Sequence, residues 1–104
     1  MGNIKTLMND GKPLAPPEAK RLAITILENG TVTIDPAHAT PRMSERSVTM
    51  QDIENTLRGG VCQPAEWSDR FAEWRYRFET SRFGVVITFE DEENALVVTV
   101  WRRK

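Results

Sequence analysis

The pair Gly59-Gly60 separates two periodicities, and this break constrains the fold more than any other feature of the chain. Before it, apolar residues fall at helical spacing, as Met50, Ile53 and Leu57 do at i, i+3, i+7. After it the period becomes two. Over Ala72–Thr80, Trp74, Tyr76 and Phe78 alternate with Glu73, Arg75, Arg77 and Glu79. Helices first and strands second predict an α+β fold, with the helices packed on one face of an antiparallel sheet. At 104 residues the chain is one domain. Residues 13–60 are expected to be mainly helical and 61–104 to form antiparallel strands. Residues 1–12 are polar and glycine-containing, and predict a mobile arm or a short edge strand.

The helical half carries its own punctuation. Pro17 suits the first position of a helix whose buried face is Ala19, Leu22, Ala23 and Ile26, and Gly30 stops it. Thr31–Ile34 alternates and reads as a short strand. Asp35-Pro36 then reads as an N-cap followed by a first helical residue. Pro41 complicates that element, because inside a helix it costs about 3 kcal/mol. Two outcomes are open: a fresh start with Thr40 as N-cap, or a kink. Thr49 with Asp52 is a capping-box variant that starts the next helix.

In the second half, Val61–Trp67 contains Pro64 and predicts a weak edge strand. Ser81–Gly84 predicts a hairpin turn and Asp91–Asn94 an acidic one. Ala95–Arg102 is apolar on both faces, which predicts a strand inside the sheet with a neighbour on each side.

Net charge is -1, so any nucleic-acid site must be a local basic patch. Two such places exist. His38, Arg42 and Arg46 stand at i, i+4, i+8, one polar stripe if they are helical, and Arg75 and Arg77 share a strand face. The ribonuclease activity that the family resemblance given below implies, metal-free RNA cleavage, needs a proton removed from the 2′-hydroxyl, one delivered to the leaving oxygen, and a stabilised phosphate. Imidazole titrates near neutral pH, so His38 is the candidate base or acid. Arg42, Arg46 and Arg77 are the candidate phosphate clamp, with Arg75 and Arg82 as further RNA contacts. The competing reading is structural. His38 braces the start of a helix, and the arginines pair with Glu45, Glu73 and Glu79.

Other chemistries find little support. One histidine and one cysteine argue against a zinc site, and the acidic turn reads as solvated. No phosphate loop, nucleophile elbow or dinucleotide fingerprint is present, so no cofactor is expected. Cys62 stands beside no obvious base and reads as structural. Trp74 and Trp101 fall at strand positions where core packing is the commoner role. No apolar run is long enough to span a membrane, and the first residues lack the apolar segment of a signal peptide. A cytoplasmic location is the expectation.

The pattern His38-Ala39, Arg42-Met43, Glu45-Arg46, then Asp52-Ile53, Leu57 and Gly60, then Tyr76-Arg77-Phe78 and Val97–Trp101, resembles the bacterial domain-of-unknown-function family 4258. That family is considered a distant relative of the RelE- and MqsR-type mRNA interferase toxins. The resemblance runs from Val32 to Arg102. It implies a compact α+β fold with a curved antiparallel sheet, RelE-like, and it suggests ribonuclease activity. The function expected on these grounds is an RNA-acting toxin-type domain of a toxin–antitoxin system, a metal-free ribonuclease checked by an antitoxin protein. The alternative is a non-catalytic protein-binding domain of the same fold. Convergence of the arginines with His38 in one concave site favours the first, and pairing of each with a glutamate favours the second.

Overall fold

Thr49 starts the best-defined helix. Its hydroxyl accepts the Asp52 backbone N–H at 3.1 Å, while the Asp52 carboxylate accepts the Thr49 N–H at 2.9 Å. Both bonds of the capping box are therefore made. In this computed structural model, which describes residues 12–103, three helices and six strands follow in order. They are α1 (Pro16–Asn29), β1 (Thr31–Ile34), α2 (Ala39–Glu45), α3 (Met50–Gly59), β2 (Val61–Cys62), β3 (Glu66–Ser68), β4 (Glu73–Glu79), β5 (Phe83–Phe89) and β6 (Asn94–Arg102). The fold is α+β. The arm expected over residues 1–12 lies almost wholly outside the described residues.

The sheet runs β1-β6-β5-β4-β2, with β3 also paired to β4. It is mixed and not purely antiparallel, because β1 lies parallel to β6, from Thr31↔Asn94 to Ile34↔Val97. The reversal after α1 sets that direction. Gly30 passes so close to the Glu93 backbone that a Cβ there would overlap the Glu93 carbonyl, and Thr31 N–H donates to Glu93 O at 2.8 Å. Strand β6 therefore has β1 on one side and β5 on the other, as its two-sided apolar pattern predicts. The stretch around Pro64, which has no N–H to give, splits into β2 and β3. The β4–β5 turn is shorter than expected: Thr80 N–H bonds Phe83 O at 2.9 Å, and Phe83 and Gly84 already belong to β5.

Helices α1 and α3 cover one face of the sheet. Their Ala19, Ala23, Ile26, Ile53 and Leu57 are buried against Tyr76, Phe78, Val85, Ile87 and Val97. Leu22 and Met43 are only partly buried at the margin of this core. The Tyr76 hydroxyl accepts the Leu14 N–H at 2.9 Å, which ties the segment before α1 to the sheet.

Helix α2 corrects the expectation for this stretch. Pro36 is not helical. Asp35 Oδ1 accepts the Ala37 N–H at 3.1 Å, and Asp35 O accepts Ala39 N–H and Thr40 N–H, each at 3.0 Å. The helix begins only at Ala39, with His38 at the N-cap. Pro41 falls in its first turn, where a backbone N–H has no intrahelical acceptor, so there is neither a kink nor a restart at Thr40. The helix ends at Glu45 in a Schellman arrangement, Ser47 N–H to Ser44 O and Val48 N–H to Met43 O, with Ser47 at φ 54 and Val48 buried.

Helix α2 also lies at the sheet margin. The β5–β6 pairing steps from Ile87↔Val97 to Val86↔Thr99, leaving Val98 as an extra residue on β6. The β1 pairing stops at Val97, and α2 and its C-terminal turn take its place beside the rest of β6. Arg46 Nη1 donates to Val100 O at 2.9 Å, and Arg102 Nη2 donates to Ser47 O at 2.8 Å.

Ile53 is wholly buried between α1 and the sheet. Ile53→Ala is expected to lower the unfolding free energy in urea by about 2–5 kcal/mol with an unchanged m-value. Ser47→Gly relieves the left-handed strain and should raise stability by about 1 kcal/mol.

Candidate active site

On the sheet face opposite α1 and α3, the α2 margin and the β3–β4 turn enclose a cleft of about 620 Å³. Its floor is Leu96, Val98 and Thr99 of β6. Asp35, His38 and Arg42 form one wall, and Arg70 and Phe71 of the turn, with Glu73 and Arg75 of β4, form the other. The local fold explains each placement. Ala39 and Met43 turn α2 toward the core, so the i, i+4 pair His38 and Arg42 lies on its other side. Arg75 alternates with the core-facing Trp74 and Tyr76.

His38 is oriented by Asp35. Nδ1 lies 2.9 Å from Asp35 Oδ2, while Oδ1 is held by the Ala37 N–H. The bond to His38 and the backbone bond from Ala37 hold the Asp35 carboxyl below the usual aspartate range; desolvation opposes them, and the nearby charge of Arg75 adds to them. The group is thus a carboxylate, an acceptor only, and the neutral imidazole carries its proton on Nδ1. Nε2 is left with its lone pair, on a side chain that is 61% exposed.

The arginines differ in how they are engaged. Among the described residues Arg42 and Arg70 have no carboxylate within ion-pair distance. Arg75 Nε lies 3.1 Å from Glu73 Oε2, and its guanidinium sits 4.8 Å from the centre of the Phe71 ring. Arg70 lies 5.1 Å from the same centre.

Of the residues proposed from sequence, His38, Arg42 and Arg75 come together here. Arg46 does not. It follows the last residue of α2, and its guanidinium bonds the Val100 carbonyl. Arg77 lies further along β4, 5.3 Å over the Trp101 ring, and lines a separate hollow of about 330 Å³ that shares Arg75 and Thr99 with the cleft. Arg82 stands in the β4–β5 turn outside both. Asp35, Arg70 and Phe71 escaped the sequence reading. Asp35 resembled a helix cap, and its i, i+3 spacing to His38 was the available signal. Arg70 and Phe71 fell in what reads as a plain turn, where an adjoining arginine and large apolar residue was the one clue.

Other groups have local roles. Burial pushes the Cys62 thiol up to about 11 against the opposing charge of Lys20, so it is not a nucleophile near neutral pH. Asp91 accepts the Glu93 N–H and the Asn94 side-chain amide, which close the acidic turn on itself. Among the described residues no three His, Cys, Asp or Glu side chains gather as a metal site, and no helix is long and apolar enough to cross a membrane. A hollow of about 580 Å³ between α1 and the β5–β6 turn holds acids and a single arginine but no imidazole. Comparison of the chain with protein-family models, curated proteins and solved structures finds no match in any of the three.

The lowered Asp35 carboxyl has a pH consequence. A folded-state pKa below the unfolded value adds stability that is complete above about pH 4 and is lost as pH falls through the folded value. The stability difference between wild type and Asp35→Asn, followed by urea unfolding, should therefore shrink as pH is lowered below about 4.

Proposed function

We propose that this protein is an RNA-acting domain of the toxin type, a metal-free endoribonuclease with a RelE-like fold, restrained in the cytoplasm by an antitoxin protein. The resemblance to family 4258 belongs to the same proposal. The observation that carries it is the cleft itself. An imidazole oriented by a carboxylate opens onto the same space as Arg42 and Arg70, two guanidiniums without carboxylate partners among the described residues.

The chemistry follows from those groups. His38 Nε2 takes the 2′-hydroxyl proton, O2′ attacks the adjacent phosphorus, and the P–O5′ bond breaks. The products are a 2′,3′-cyclic phosphate and a 5′-hydroxyl, whose proton comes from water or from the protonated His38. Asp35 fixes the tautomer and stabilises the imidazolium as it forms. Arg42 and Arg70 meet the charge that builds on the phosphate oxygens.

His38→Ala should abolish cleavage of RNA in vitro and growth inhibition in bacteria, with the circular dichroism spectrum unchanged. Arg42→Ala should slow cleavage by on the order of 10²-fold or more. A 2′-deoxy substitution at the cleaved nucleotide should block the reaction. Wild-type protein that cleaves nothing, with or without ribosomes, would move the assignment to the non-catalytic protein-binding domain.

A further inference from the structure

We propose that Phe71 is a stacking platform for an unpaired nucleobase, so that the β3–β4 turn restricts the cleft to single-stranded RNA. The inference rests on the RNA reading above and adds the form of the substrate. Phe71 is 48% exposed, one of three large apolar side chains left so open among the described residues. Unlike the other two, Val61 and Trp67, it lines the cleft that holds His38.

The turn is built to keep it there. Phe71 N–H reaches Ser68 Oγ at 3.4 Å, and the next residue, Ala72, adopts φ 52, a left-handed conformation that an alanine takes only against its preference. Nothing in the core rewards that strain, because Phe71 is absent from the core cluster. What the ring does touch is two guanidiniums, at 4.8 and 5.1 Å from its centre. Both guanidiniums lie over the ring, so ring and guanidiniums together make a layered stacking surface that carries positive charge. An unpaired base with a phosphate on either side matches that surface: the base stacks, and the phosphates meet Arg70 and Arg75. A base inside a duplex has both faces covered by its neighbours and cannot reach the ring unless it is splayed out. Leu96 and Val98 give the cleft an apolar floor below.

The test uses a non-cleavable 2′-O-methyl RNA of about 12 nucleotides, single-stranded or annealed to its complement, with affinity read by fluorescence anisotropy at one fixed salt concentration. Wild type should bind the single strand more tightly than the duplex. Phe71→Ala should weaken single-strand binding about tenfold or more and leave duplex binding nearly unchanged, while Phe71→Trp should restore it. Two results would overturn the proposal. One is equal single-strand affinity of wild type and Phe71→Ala. The other is an equal loss for both strand forms, which would make Phe71 a support for Arg70 and Arg75 only. The two readings fail separately. Loss of cleavage in His38→Ala with no Phe71 effect on binding removes this inference alone. Phe71-dependent single-strand binding by a wild type that cleaves nothing removes the ribonuclease alone.

Discussion

The structure depends on strand β6 being satisfied along both edges. Its apolar residues face both ways, so exposure on either side would leave backbone groups and side chains in water together. One edge is met by β5 throughout. The other is met in two instalments, by β1 as far as Val97 and then by α2 and the turn after it. The extra residue Val98 stands where one instalment gives way to the other. That exchange of strand for helix carries His38 and Arg42 around the margin of the sheet. The cleft is thus a by-product of how an interior strand is closed off.

The site is more economical than its residue types suggest. One carboxylate orients the imidazole, and one backbone N–H orients the carboxylate. The same aspartate donates its main-chain N–H to Val97 O at 2.9 Å, so the imidazole is tied to the sheet through a single residue. The arginines fall into two sorts. Arg75 is braced by Glu73 and by the Phe71 ring, whereas Arg42 has no carboxylate partner among the described residues. Braced and unbraced cations thus stand next to one another along the same cleft.

Much of this was legible residue by residue. The change of period at Gly59-Gly60, the Thr49–Asp52 cap and the two-sided apolar pattern of the last strand are local signals, and they led to the helices, the strands and an interior β6. The parallel partner of β6 was not legible, because nothing within Thr31–Ile34 encodes a pairing with a strand at the other end of the chain. His38, Arg42 and Arg46 make one polar stripe only if all three are helical, which Pro41 leaves open. The stripe failed at its last member because the helix closes a residue before Arg46, in a Schellman turn with serine where glycine is the usual signal. Asp35 was visible but misassigned, since a cap and a histidine partner use the same short acidic side chain.

The anchoring of Asp35 to Val97 fixes when this cleft can first exist. One wall comes from the first half of the chain, while the other wall, the floor and the carbonyl that seats Asp35 come from the second half, the last two from strand β6. A chain emerging during synthesis therefore carries His38 and Arg42 long before it carries anything to set them against. Loss of the last strand would leave every proposed active-site side chain in place along the chain and no cleft to hold them.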